Sequence, residues 1–210
     1  ISLLPEEIGQ FTDLVELSAE NNKLQTLPSS VGLLTKLLSL KIKGNPFQSL
    51  PPQLGHLSQL KFLEIDCQHL ETPPKEVASD GDISRIMKYL RLFVTAQDSG
   101  VLILDNIGLV TIPPDVLGMG FVKKIILSHN SIRVLPKDCS VFQAVEELHL
   151  DHNQIQRLPA TFGNMVKLKK LHLEHNQISE IPNTFRKLKN LEELYLNDNC
   201  LTSLPPGLWT

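Results

Sequence analysis

Five of the seven histidines fall into two series, His129, His152 and His175 in one and His149 and His172 in the other, each recurring at 23 residues. Asp151 and Glu174 lie between the two series. Imidazole and carboxylate side chains are ligands for zinc-class cations, and imidazole titrates near neutrality. Rows built this way are therefore read for a zinc site, for a pH-dependent protein contact, or as ordinary solvated surface. The third reading is adopted, and no metal or cofactor is expected. The three cysteines, Cys67, Cys139 and Cys200, are too widely spaced for a disulfide framework or a paired CxxC motif. Cys139 occupies an apolar slot and reads as a small core residue. No Gly-rich phosphate loop, HExxH or GxSxG occurs. No catalytic residue is assigned, and the chain is read as not an enzyme.

The 23-residue interval is a property of the whole chain. Leu14, Leu17, Asn22, Leu24, Leu27, Pro28 and Val31 are followed one period later by Leu37, Leu40, Asn45, Phe47, Leu50, Pro51 and Leu54. Downstream the register runs from Val122 through Val145, Leu168 and Leu191. A proline stands in one slot of each unit, at Pro5, Pro28, Pro51, Pro74, Pro113, Pro136, Pro159, Pro182 and Pro205, nine of the 14 in the chain. The unit LxxLxLxxNxLxxLPxxLxxL resembles the leucine-rich repeat.

Each slot has a separate physical role. LxL alternates with period two, so it predicts a short strand with its leucines on one face. One unit cannot bury its apolar face alone, and stacking supplies a continuous core. The Asn amide offers donors and an acceptor to loop backbone that would otherwise be buried unpaired. Proline fixes φ and needs no backbone donor, which suits an extended outer segment. The fold class expected is an α/β leucine-rich-repeat solenoid, a curved horseshoe of roughly eight parallel strands in one inner sheet. Its convex side is expected to be extended or 3₁₀.

One insertion breaks the period, because 39 residues separate Leu60 from Ser99. Asp80, Gly81 and Asp82 predict a turn and helix cap. Ile83, Ile86, Met87, Leu90, Phe93 and Val94 then fall at helical spacing, with Arg85, Lys88 and Arg91 on other faces. This helix is read as structural, covering the outer edge of repeats three and four; a docking helix or a hinge is the sharper alternative. In the next repeat Ser99 replaces a leucine and Ile107 takes the Asn slot, so a strand with an altered turn is expected. The organisation is read as one domain, 1–210, with repeats over 1–77, the helical insertion over 78–98 and repeats over 99–210. Both ends fall inside a repeat, so a piece of a longer chain is inferred.

The repeat is similar to the intracellular, Ras-group type of leucine-rich repeat. Pro73-Pro74, Val77, Gly81, Ile86 and Tyr89-Leu90 resemble an element that follows repeat blocks in such proteins. A second block after it is similar to the leucine-rich-repeat-containing-protein-forty type. The resemblance implies a protein-binding solenoid without chemistry of its own, in which histidine before the Asn slot is ordinary. The Gly-x-Ile-Pro element of the plant receptor variant is absent.

Composition agrees with an intracellular binding module. The chain carries 20 Lys+Arg and 23 Asp+Glu, a net charge of -3, which argues against nucleic acid as a partner. No apolar run approaches the length of a membrane span, and no charged leader opens the sequence. No Asn-x-Ser/Thr acceptor occurs, and with the unpaired cysteines this points to a reducing, cytoplasmic setting.

In a solenoid the outward strand positions and the two residues before Asn line the inner face. In this chain they hold ten acidic and four basic residues, a net of -6 against -3 for the whole. A protein partner with a basic surface is expected, and no small-molecule substrate. The contact residues assigned are Phe62, Ile103, Ile126, Lys124, Glu147, His149, Asp151, Lys170, His172, Glu174, Glu193 and Tyr195. Phe62, Val101, Ile103 and Ile126 are expected to form an apolar cluster, and Phe62 and Tyr195 to act as aromatic anchors. The function expected is protein–protein interaction as a signalling scaffold or adaptor. The alternative is the recognition arm of a longer kinase, GTPase, phosphatase or ubiquitin ligase.

Overall fold

The computed structural model of the chain describes residues 1–79 and 81–205. Asp80, assigned to the turn before the inserted helix, lies outside the described residues. The chain divides into two compact units, Ile1–Asp98 and Ser99–Thr210.

In the first unit, β1 (Glu16–Ser18), β2 (Ser39–Lys41) and β3 (Phe62–Glu64) form a parallel sheet in that order. The register pairs Leu17 with Leu40 and Leu40 with Leu63, an offset of 23 residues at each step. The central leucine of β2 is fully buried, while its neighbours Ser39 and Lys41 are half-buried on the other face. Leu24, Ile42, Phe47, Leu50 and Leu57 complete the core beneath the sheet.

The outer side of each repeat follows from its proline. Pro28 and Pro51 are extended (φ -66° and -67°) and each leads into a five-residue 3₁₀ turn, Ser29–Leu33 and Pro52–His56. Glycine lets successive turns pack closely: a Cβ on Gly32 would stand 2.6 Å from the Gln53 carbonyl. Two short helices replace the 3₁₀ turn elsewhere, α1 (Lys75–Ala78) in this unit and α3 (Pro114–Leu117) in the second.

The insertion forms α2 (Ile83–Ser99). The Asp82 carboxylate accepts the Ser84 amide at 2.8 Å, satisfying one of the free donors of the first turn. Ile86, Met87, Leu90 and Phe93 are buried, as their spacing predicts. Tyr89 and Ala96 are buried as well, and Val94 is only half-buried. Tyr89 packs on Phe93 with ring centroids 4.9 Å apart, so the buried face is wider than the apolar stripe read from sequence. The helix lies on the turn that follows β2: Arg91 Nε donates to the Gly55 carbonyl at 3.2 Å. A Cβ on Gly55 would stand 2.8 Å from the Arg91 amide nitrogen.

In the second unit, β4 (Val101–Ile103), β5 (Lys124–Ile126), β6 (Glu147–His149), β7 (Lys170–His172) and β8 (Glu193–Tyr195) form a five-stranded parallel sheet. Leu148 and Leu171 are buried and Leu194, on the last strand, is half-buried. The β4 repeat keeps its strand, and its turn carries an extra left-handed residue, Gly108 (φ 79°), which the other repeats do not have at that position.

The expectation of one sheet through all eight strands is corrected. The hydrogen-bonded order stops at β3 and begins afresh at β4. The repeat's amide bridge fails in the two repeats that flank the break. Asn45 Oδ1 accepts the Leu24 amide at 2.9 Å while its Nδ2 donates to the Ala19 and Ile42 carbonyls. Gln68 and Ile107 hold that slot on either side of the break. Ile107 has no side-chain amide to give, and within the first unit, where Gln68 replaces Asn, the Phe47 amide turns to the Asn45 carbonyl at 3.0 Å.

Candidate functional site

Because neighbouring strands are offset by one repeat, residues 23 apart stand side by side on the outward face of the sheet. The second unit therefore carries four parallel rows. Val101, Lys124, Glu147, Lys170 and Glu193 form the first, and Ile103, Ile126, His149, His172 and Tyr195 the second. Beyond the strand ends the backbone ladder continues through Leu104–Ile126, His129–Asp151, His152–Glu174 and His175–Asn197. It carries Asp105, Ser128, Asp151, Glu174 and Asn197 in a third row, and Asn106, His129, His152, His175 and Asp198 in a fourth.

The first row alternates in sign and neutralises itself. Lys124 Nζ lies 2.8 Å from Glu147 Oε1, and Lys170 Nζ 2.5 Å from Glu193 Oε1. Exposed pairs of this kind add little stability, but they remove free charge from the row. Burial raises the Glu147 carboxyl, and the hydrogen bonds of Lys124 and His149 outweigh it, so the group ends below its ordinary range. The Lys170 ammonium beside Glu193 holds that carboxyl down, and the same pair raises Lys170.

The second row is a stack of flat rings. His149 and His172 lie with centroids 4.1 Å apart and planes 8° from parallel; His172 and Tyr195 follow at 4.3 Å and 13°. Carboxylates edge the stack, with His149 Nε2 2.6 Å from Glu147 Oε1 and His172 Nδ1 3.1 Å from Glu174 Oε1. The Tyr195 hydroxyl donates to Glu193 Oε2 at 3.1 Å. Ile103 and Tyr195, at opposite ends, are 47% and 40% exposed.

The acidity of the face concentrates in the third row, where Asp105, Asp151 and Glu174 meet no lysine or arginine in the row. These three carboxylates are not equivalent. Asp151 is only 8% exposed and receives the Ser128 hydroxyl at 2.6 Å on Oδ1. Burial works against its ionisation, and the Ser128 and His152 hydrogen bonds prevail, holding the group below the ordinary carboxylate range. Asp151 is thus a fixture of the framework and not a free contact residue.

The fourth row explains why histidine recurs. Asn21, Asn106, His129, His152, His175 and Asp198 all adopt left-handed backbone (φ 52–55°), and Gly44 shares the slot. Asn, Asp and His are the non-glycine residues enriched in that conformation.

Among the residues assigned from sequence, Ile103, Ile126, Lys124, Glu147, His149, Lys170, His172, Glu174, Glu193 and Tyr195 share one face with the buried Asp151. Ile103 and Ile126 are direct neighbours in register. Phe62 is 63% exposed on edge strand β3 of the other sheet, and its register partner is Ser39. The Lys–Glu alternation of the first row was missed, although the sequence shows it at residues 124, 147, 170 and 193. Tyr195 as the end of a histidine stack was missed as well. So was an open hollow of about 470 Å³ in the first unit, lined by Lys43, Glu64, Asp66, Cys67, Gln68 and Lys75. Cys139 is 1% exposed, and burial pushes its thiol up to about 11, so it is a protonated core residue and no nucleophile.

Fold and site together define a leucine-rich-repeat solenoid, a class that generally serves protein–protein interaction. Residues 120–178 match the family described as leucine rich repeat, and residues 166–208 that described as leucine rich repeats in two copies. The chain is similar to internalin C2 of Listeria monocytogenes at 22% identity, covering 93% of this chain and 76% of that one with a TM-score of 0.50. It is similar to the leucine-rich-repeat domain of the type III effector XopL at 19% identity, over 65% of this chain and 52% of that one, TM-score 0.50. A leucine-rich-repeat protein of Leptospira interrogans is 24% identical over 98% of this chain, with a TM-score of 0.44; the chain spans 66% of its length. No curated protein matches. Among the described residues, no helix is long and apolar enough to cross a membrane.

Proposed function

We propose that the chain recognises a protein partner through the outward face of the five-stranded sheet, as an intracellular scaffold or adaptor of the Ras-group type. The observation that carries this reading is the second row, a flat strip running from Ile103 to Tyr195 and bordered by carboxylates. Aromatic and aliphatic groups of this kind release water on contact and give an interface its energy. The carboxylates of the third row, unmatched by lysines of their own, favour a basic partner and would set its approach rate. The alternating first row asks for a partner that presents both signs of charge.

The test is comparative capture from a cytosolic extract. A face variant, Ile103→Glu with Tyr195→Ala, is matched against a variant on the outer side, Val134→Ala, with folding of each checked by circular dichroism. Loss of the captured protein from the face variant alone supports the reading. Loss from the outer variant alone, or equal capture by both, rejects it.

A further inference from the structure

The third and fourth rows bring one set of ligand atoms together in the middle of the second unit. His129 and His152 hold equivalent slots in adjacent repeats, with stacked rings 4.4 Å apart and planes 21° from parallel. One ligand atom from each of His129, Asp151 and His152 lies within 4.8 Å of the other two. The closest pair, His152 Nδ1 and Asp151 Oδ2, is 3.1 Å apart. That is near the separation of two ligands that share a tetrahedral ion with bonds of about 2 Å.

The surroundings prepare these atoms. Asp151 is buried and fixed by the Ser128 hydroxyl on its other oxygen, so its Oδ2 is presented in one place. His129 Nδ1 lies 3.0 Å from Asp105 Oδ1, which leaves Nε2 as its free ligand atom. A carboxylate on the distal nitrogen of a metal-bound histidine fixes the tautomer and raises the ligand's basicity. The His129 ring is exposed, so its side chain can turn to close the remaining gap, at most about 1.5 Å beyond tetrahedral spacing.

We infer that His152, Asp151 and His129 bind a zinc-class divalent cation on the sheet face, with Asp105 orienting His129. Two imidazoles and one carboxylate leave a fourth position open toward solvent, where water completes the shell. Nitrogen and oxygen donors in this proportion suit zinc above magnesium or calcium, which prefer all-oxygen sites. The site does not depend on the face having a protein partner.

The experiment is calorimetric titration of the tag-free 210-residue chain with zinc chloride. Saturable 1:1 binding is expected. His129→Ala and His152→Ala are each expected to weaken it at least tenfold, and Asp105→Ala by about 10–100-fold through loss of orientation. His56→Ala, on the outer turn of the first unit, is expected to leave binding unchanged. Circular dichroism confirms folding of each variant, and the visible absorption of Co²⁺ bound in place of zinc reports the geometry independently. Intense tetrahedral cobalt bands that vanish in His152→Ala support the site. Absence of saturable heat in the wild-type chain, or an equal loss in His56→Ala, overturns it.

Discussion

Replacing Asn153 by alanine tests the amide bridge that holds successive repeats together. Asn153 is buried, and its Oδ1 accepts the Ile132 amide at 3.0 Å. Its Nδ2 lies 3.0 Å from each of the Leu127, Leu150 and Asp151 carbonyls. After truncation the carbonyls keep other donors: Asn130 Nδ2 on Leu127, Asn176 Nδ2 on Leu150 and the His129 amide on Asp151. The Ile132 amide has no such substitute and is left buried and unpaired. An orphaned buried donor costs about 1–3 kcal/mol, and the two Nδ2 hydrogens contribute about 1 kcal/mol each. The expected loss is therefore about 3–5 kcal/mol. Urea unfolding followed by far-ultraviolet circular dichroism measures it, with Gln156→Ala as control. Gln156 makes one exposed bond to Gln177 at 3.3 Å, and its removal should stay within about 0.5 kcal/mol. A loss below about 1 kcal/mol for Asn153→Ala at unchanged m-value refutes the bridge as the source of stability.

Three further outcomes follow from the packing and the charges. Gly163→Ala places a methyl group against the Thr184 carbonyl of the next turn and should destabilise by about 1–3 kcal/mol, whereas Gly120→Ala, with open space around it, should be near neutral; equal midpoints would contradict the close stacking. Cys139, buried with its thiol raised to about 11, should resist iodoacetamide at mild alkaline pH while the exposed Cys200 reacts, as mass spectrometry of the alkylated chain would show. Asp13, Glu146 and Glu193 have carboxyls depressed by hydrogen bonds from Lys36, Lys169 and Lys170, so whatever they add to stability is present above the ordinary values of 3.8–4.5 and lost as pH falls below them; side-chain carbon NMR titrations with midpoints at or above those ordinary values would be inconsistent with these pairs.

The repeat phase was legible because it is written locally. Leucines at 23-residue intervals state which side chains face the core, and Leu40, Leu148 and Leu171 are buried as that rule requires. Proline in its slot states where the outer turn begins, and the 3₁₀ turns start directly after Pro5, Pro28, Pro51, Pro159 and Pro182, whereas past Pro136 the turn starts only at Cys139, capped by Asp138. Even the members of each row on the sheet face could be numbered from sequence, since the offset between strands equals the repeat.

Which side chains neutralise one another could not be read in the same way. Lys124 chooses Glu147, Asp151 turns inward to Ser128, and Tyr195 closes the histidine stack, each through rotamers set by neighbours 23 or more residues away. The burial of Tyr89 depends on where α2 meets Gly55, a contact 36 residues long in sequence between Arg91 and that glycine. The sheet halts at β3, where the chain leaves the repeat to form α2 before β4 begins. Sequence determines periodicity because backbone sterics and hydrophobic alternation act over a few bonds. Charge pairing, ring stacking and the end of a sheet are decided only when distant segments share a surface, so they belong to the tertiary structure.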